Sequence, residues 1–162
     1  MTNPTTDSTH GSPAEPGAPA ARLASLCAEV WNSQMAAHPV YATALGDRRF
    51  DDRLRDNGPG ALAADATRLN GWQEQARAID PTGLSAADRV THAALLDFMA
   101  IELDLIEAGM DAWSVDPLDG PQVAYLNVPS FQPVRTVAEG EALVARWREI
   151  GPWIDRLTGT TR

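Results

Sequence analysis

Apolar positions along the chain recur at helical spacing in four stretches, separated by proline- and glycine-rich punctuation. From Ala20 to Met35, the residues Leu23, Leu26, Cys27, Val30, Trp31 and Gln34 fall on one stripe at steps of three and four, which predicts a helix. His38-Pro39 weakens it, because the residue before a proline avoids the α region. Pro39 then opens a short second turn from Val40 to Leu45, stopped by Gly46. Asn57-Gly58-Pro59-Gly60 is a break. Beyond it Leu62, Ala66, Leu69, Trp72, Ala76 and Ile79 define a second helical face, ended by the turn Asp80-Pro81-Thr82-Gly83.

Ser85-Ala86-Ala87-Asp88 reads as a capping box with aspartate in place of glutamate, opening a third helix that runs to about Met110. Val90, Ala94, Phe98, Ile101 and Leu105 make one stripe on it, and Leu95, Met99, Leu103 and Ile106 make another beside it. So broad an apolar arc suits a helix covered on more than one side, and the other helices of this chain can cover only part of it. Ser114 to Arg135 holds four prolines and no sustained period, which predicts a long ordered loop with room for a short strand at Gln122–Leu126. Thr136-Val137-Ala138-Glu139 is a full capping box. The helix after it carries Leu143, Trp147, Ile150, Ile154 and Leu157 on its apolar stripe, with Arg146, Arg148 and Glu149 on or near its polar side and a kink expected at Pro152. The expected fold class is all-α: about four main helices in an incomplete helical array and one long Pro-rich packed loop. Residues 1–19, rich in Pro, Thr, Ser and Gly, are expected as a disordered tail, and residues 20–162 as one helical domain.

At 162 residues and 44% apolar content, the chain is large enough for a single core. A net charge of −9 and a pI near 4.6 disfavour nucleic acid as a partner. All thirteen basic residues are arginine, so Schiff-base chemistry and a P-loop are excluded within these residues. The single cysteine, Cys27, permits no internal disulfide and sits among apolar neighbours, as a buried thiol does. No apolar run reaches the ~20 residues that span a bilayer, and nothing resembles a signal peptide, so no membrane association and a cytoplasmic location are the default expectations.

HPVYATALGDRRFDDRL, His38 to Leu54, concentrates the charged residues that invite a chemical reading. Asp51, Asp52 and Asp56 resemble the aspartate clusters that hold magnesium in helical diphosphate enzymes. Such clusters need carboxylates sharing a helix face, whereas this stretch follows a helix-stopping glycine and contains Arg48, Arg49, Arg53 and Arg55. Arginine–carboxylate pairing is therefore the expected role, and a magnesium enzyme the weakest alternative. His10, His38 and His92 have no partner at metal-ligand spacing. Trp31, Trp72, Trp113, Trp147 and Trp153 lie on or beside the stripes, as packing residues do. Within the proline-rich loop, Gln122, Tyr125, Asn127, Ser130, Gln132 and Arg135 set polar groups among apolar anchors. That mix suits either a substrate-contacting groove or a loop stapled to the core.

Two segments resemble one family. HPVYATALGDRRFDDRL is similar to the N-terminal signature of the bacterial DUF885 proteins, through His38, Pro39, Gly46, Asp47, Arg49, Asp51, Asp52 and Arg53. VDPLDGPQVAYLNVPSFQPVRTVAEGEALVARWREIGPWID is similar to a later segment of the same family, in the same order, so that the resemblance spans roughly Leu23 to Asp155. It implies a mostly helical chain related to zincin-like metallopeptidases, much longer than this one, whose zinc-binding H-E-x-x-P-G-H segment lies in the C-terminal half. No such segment occurs here. No catalytic or metal residue carries over, no cofactor is expected in this chain, and zinc is expected only for a full-length relative. The resemblance thus implies a truncated or fragmentary N-terminal portion, inactive alone, that walls a cleft for a peptide-like substrate. Its partner would be the missing C-terminal helical half. The alternative is a stand-alone helical interaction module that self-associates through its apolar face.

Overall fold

The structure, a computed structural model, describes residues 17–110, 118 and 120–160, without the side chains of residues 122 and 160. Among the described residues the chain is helical and contains no strand: α1 Ala18–Ala37, α2 Pro39–Ala44, α3 Ala61–Arg77, α4 Ala86–Glu107, α5 Pro121–Phe131, α6 Val137–Arg148 and α7 Ile150–Thr160. Short 3-10 turns, Arg48–Phe50 and Pro81–Gly83, join α2 to α3 and α3 to α4.

The apolar core lies where α1 packs across the α3–α4 hairpin. Leu23, Leu26 and Val30 from α1 meet Leu69, Trp72 and Ala76 from α3 and the fully buried Met99 from α4. Ile79 and Leu84 close its end at the turn between α3 and α4. Trp72 and His92 are buried with it, and each keeps a hydrogen bond. The Trp72 indole donates to Glu29 Oε1 at 2.8 Å, and His92 Nε2 lies 2.8 Å from the Ala76 carbonyl. His92 is thus held at the core edge. Cys27 packs partly buried against the same core, and burial pushes its thiol pKa up.

Several sequence expectations are corrected. Most of the expected tail lies outside the described residues, but its last part does not: α1 begins at Ala18, with Pro19 in its first turn, where proline's missing N–H has no helical partner to lose. The expected loop 114–135, with its strand at Gln122–Leu126, contains α5 instead. Pro121 opens that helix and Pro133 follows it, so that Pro129 alone lies inside. Tyr125, Val128 and Gln132 give the segment a helical inner edge at steps of three and four, and the polar Gln132 on that edge hides the period. Pro152 interrupts the C-terminal helix as expected, and the interruption falls at Glu149. The break falls there because a proline clashes with the carbonyl four residues earlier, which here belongs to Arg148, the last residue of α6.

The same helix is rotated from its expected orientation. Arg146 and Trp153 face inward at 0% and 6% exposure, whereas Trp147 and Ile154 stand half exposed. The inner edge is therefore Leu143, Arg146, Ile150 and Trp153, and a buried arginine occupies a position the apolar pattern assigns to solvent. On α4 the second stripe turns inward with Met99, while Val90 and Ile101 on the first stripe remain 70% and 57% exposed.

Candidate functional site

The signature stretch folds around the guanidinium of Arg146. α2, the 3-10 turn after it, the end of α5 and the middle of α6 each bring one or more groups to that centre. Arg146 Nε donates to the Arg53 carbonyl at 3.0 Å, and Nη1 donates to Gln132 Oε1 at 2.7 Å. Nη2 is shared among the Phe50 carbonyl at 2.7 Å, Thr43 Oγ1 at 2.8 Å and the Pro39 carbonyl at 3.3 Å. Gln132 turns its other end to the Asp51 carbonyl, donating through Nε2 at 3.1 Å. The planar fork of arginine, with donors on three nitrogens, is what lets one side chain serve acceptors from so many segments.

Asp51 is the counter-charge. Its carboxylate accepts from Thr43 Oγ1 at 2.6 Å and from Arg48 Nε, and Oδ1 lies 3.8 Å from Arg146. Burial lowers the Arg146 pKa, and Asp51 and Asp52 work against that shift. Arginine stays protonated in proteins regardless, so the centre is a buried ion pair completed by backbone carbonyls. Arg48 reaches further, donating from Nη2 to the Pro133 carbonyl at 3.0 Å, and so ties α5's end to the 3-10 turn.

The other signature residues shape the turn. Gly46 sits at φ +90°, a left-handed conformation that glycine adopts without Cβ strain. Asp47 caps the 3-10 turn, accepting from the Arg49 amide at 3.2 Å and from its guanidinium at 2.6 Å, which holds its carboxyl below the usual range. Arg49 also donates to Asn32 on α1 at 3.0 Å, and both Arg49 and Arg53 lie over the Phe50 ring. Asp52 pairs with Arg53 at 3.1 Å, and Asp56 accepts from the Gly58 amide at 2.8 Å. Asp51, Asp52 and Asp56 thus serve separate sets of partners. Among the described residues, no group of three or more His, Cys, Asp or Glu side chains is placed to hold a metal ion.

The described side chains among the loop residues expected at a groove take separate partners. The Gln122 side chain lies outside the described residues. Tyr125 packs edge-on against Trp153 with ring centres 5.3 Å apart, and burial pushes its pKa up to about 12. Asn127 is exposed, and its carbonyl accepts from Ser130 at 2.7 Å. Gln132 belongs to the Arg146 centre. Arg135 uses its backbone amide, which donates to Glu139 at 2.6 Å as part of the α6 cap. The residue that the pattern missed is Arg146, and its inner-edge spacing with Leu143, Ile150 and Trp153 is the signal that marks it.

His38 has a separate place. It ends α1, precedes α2, and lines three adjoining hollows. The largest of these is a groove of about 610 Å³ between α1 and α4. A second, of about 240 Å³, runs toward α3, and a third, of about 340 Å³, opens beside Tyr125 and Phe131. Burial lowers the His38 pKa, Arg55 lowers it further, and Asp65 opposes both.

The pattern of the family described as "Bacterial protein of unknown function (DUF885)" matches residues 39–162, and the chain belongs to that family. No curated protein and no solved structure matches it. Among the described residues, no helix is long and apolar enough to cross a membrane.

Proposed function

We propose that this chain forms a helical wall of a DUF885 hydrolase, related to zinc peptidases, and leaves the bond-breaking groups to residues outside these 162. One observation carries the reading: the signature's charged groups are spent on holding the chain together. Asp51 is committed to Thr43, Arg48 and Arg146, and Asp52 and Asp56 to local partners. The described residues do not fit a zinc site, since no three ligating side chains converge and His92 is engaged by a core carbonyl. The zinc of a full-length relative would therefore rest on other residues.

The outer stripe of α4 supports the same reading. Val90, Ile101 and Leu105 are large apolar side chains left to water. An apolar surface of this kind is the sort that further helices cover. The wall would face a cleft for a peptide-like substrate, with α5 beside it. The same exposed stripe favours self-association as the second reading.

The purified chain should hydrolyse no unstructured peptide and retain no stoichiometric zinc after dialysis. Turnover, or one tightly held zinc per chain, overturns the proposal. Sedimentation separates the two readings. A monomer that binds an apolar dye fits an uncovered wall, and a dimer that excludes the dye fits self-association.

A further inference from the structure

The groove between α1 and α4 has the size and polarity of a small-molecule site. Its volume of about 610 Å³ lies inside the range of about 300–1,000 Å³ usual for such sites. Val30, Trp31 and Met35 from α1 face Leu95 and Phe98 from α4 across it. Gln34, His38 and Glu102 line both this groove and the smaller hollow beside it, so the polar groups gather at their shared boundary.

Glu102 is the one formally charged side chain lining the groove. It has no hydrogen-bond or ion-pair partner among the described residues, and neither do the side chains of Gln34 and His38. The cations in the neighbouring hollow are engaged elsewhere: Arg55 pairs with Asp65 at 3.5 Å, and Arg68 pairs with the same carboxylate. Glu102 is partly exposed at the edge of apolar walls, so a cation that carries an apolar body gains charge attraction and apolar contact together. An ammonium group supplies a positive charge and three donors, enough for the carboxylate, the Gln34 amide oxygen and a neutral imidazole nitrogen.

We propose that this groove binds a small amphiphilic amine, its alkyl or aryl body on the walls from Val30 to Phe98 and its ammonium group on Glu102. The site stands whether or not the chain walls a hydrolase.

The test uses the full chain, isotope-labelled for NMR, titrated separately with octylammonium, octanoate and octanol, which share a tail and differ in charge. Octylammonium should saturate with shifts confined to α1, α4 and the His38–Tyr41 stretch that also lines the groove, including the Trp31 indole. It should bind at least tenfold more tightly than octanoate, about 1.4 kcal/mol. Glu102→Gln should reduce octylammonium to the affinity of octanol. Glu107→Gln, an equal change in net charge on an exposed residue outside the groove, should leave it unchanged. Trp31→Ala, at a largely exposed position, should weaken all three ligands. The proposal is overturned if octanoate matches octylammonium, if Glu102→Gln and Glu107→Gln behave alike, or if the shifts fall elsewhere. Should Glu102→Gln fail to fold, the wild-type charge preference and the Trp31→Ala titration decide.

Discussion

The two halves of this molecule are held by different physics. The α1–α3–α4 half closes over Met99, Leu69, Leu23 and their neighbours, with Trp72 and His92 each making one hydrogen bond at its edge. The half built from α2, the 3-10 turn, α5 and α6 closes over a guanidinium, with Arg146, Gln132, Thr43 and Asp51 all buried. Apolar contacts are non-directional and tolerate small shifts. A buried guanidinium is directional: it fixes the relative positions of the segments whose carbonyls it meets, and it is costly if any of them is lost. The first half is thus a packed core, and the second is a lock.

The sharpest way to break the comparison is to remove each centre. Arg146→Met leaves Asp51 without its buried cation and strips the Pro39, Phe50 and Arg53 carbonyls of a donor. A loss of about 3–5 kcal/mol is expected, measurable by urea unfolding. Hydrogen exchange should rise first in α5 and α6. Met99→Ala empties a fully buried position in the other half and should cost about 2–5 kcal/mol, with exchange rising first in α1, α3 and α4. Identical exchange patterns in the two variants would erase the distinction.

Thr136→Ala is expected to be milder. It removes the hydroxyl that accepts from the Glu139 amide at 3.2 Å and halves the α6 capping box. About 1 kcal/mol of stability should go, read as a lower urea midpoint with unchanged slope. The smallest effect is a pH dependence at His38. Its folded pKa lies below 6.5 because burial and Arg55 disfavour the imidazolium. Between 6.5 and that lower value, the unfolded chain binds a proton that the folded chain does not. Stability should therefore fall as the pH drops through this window and level off below it, and His38→Gln should flatten that part of the profile.

The contrast also explains what could be read from the sequence. α1, α3 and α4 follow from apolar periodicity because their inner faces are apolar, and their expected and observed ends agree closely. The capping boxes at Ser85 and Thr136 are local chemistry and are found where the residue spacing puts them. α5 was hidden because its prolines read as loop punctuation and its buried edge ends in a glutamine. Arg146 was hidden for a related reason. A pattern that sends charge to the surface assigns Trp147 to the interior and Arg146 to water, the reverse of what occurs. The signature His38–Leu54 was legible as arginine–carboxylate pairing, but its buried partner lies 95 positions beyond Asp51 on α6. Local spacing cannot supply such a long-range contact.

The central claim is that Asp51 serves Arg146, so that the signature is a structural lock and not a ligand set. A double-mutant cycle tests it most directly, with Asp51→Asn, Arg146→Met and the double variant compared by urea unfolding. The lock predicts strong non-additivity, with a coupling of about 1–3 kcal/mol and a double variant less destabilised than the sum of the single changes. Additivity within about 0.5 kcal/mol would contradict it, and would show that Asp51 is held in place for some purpose other than Arg146.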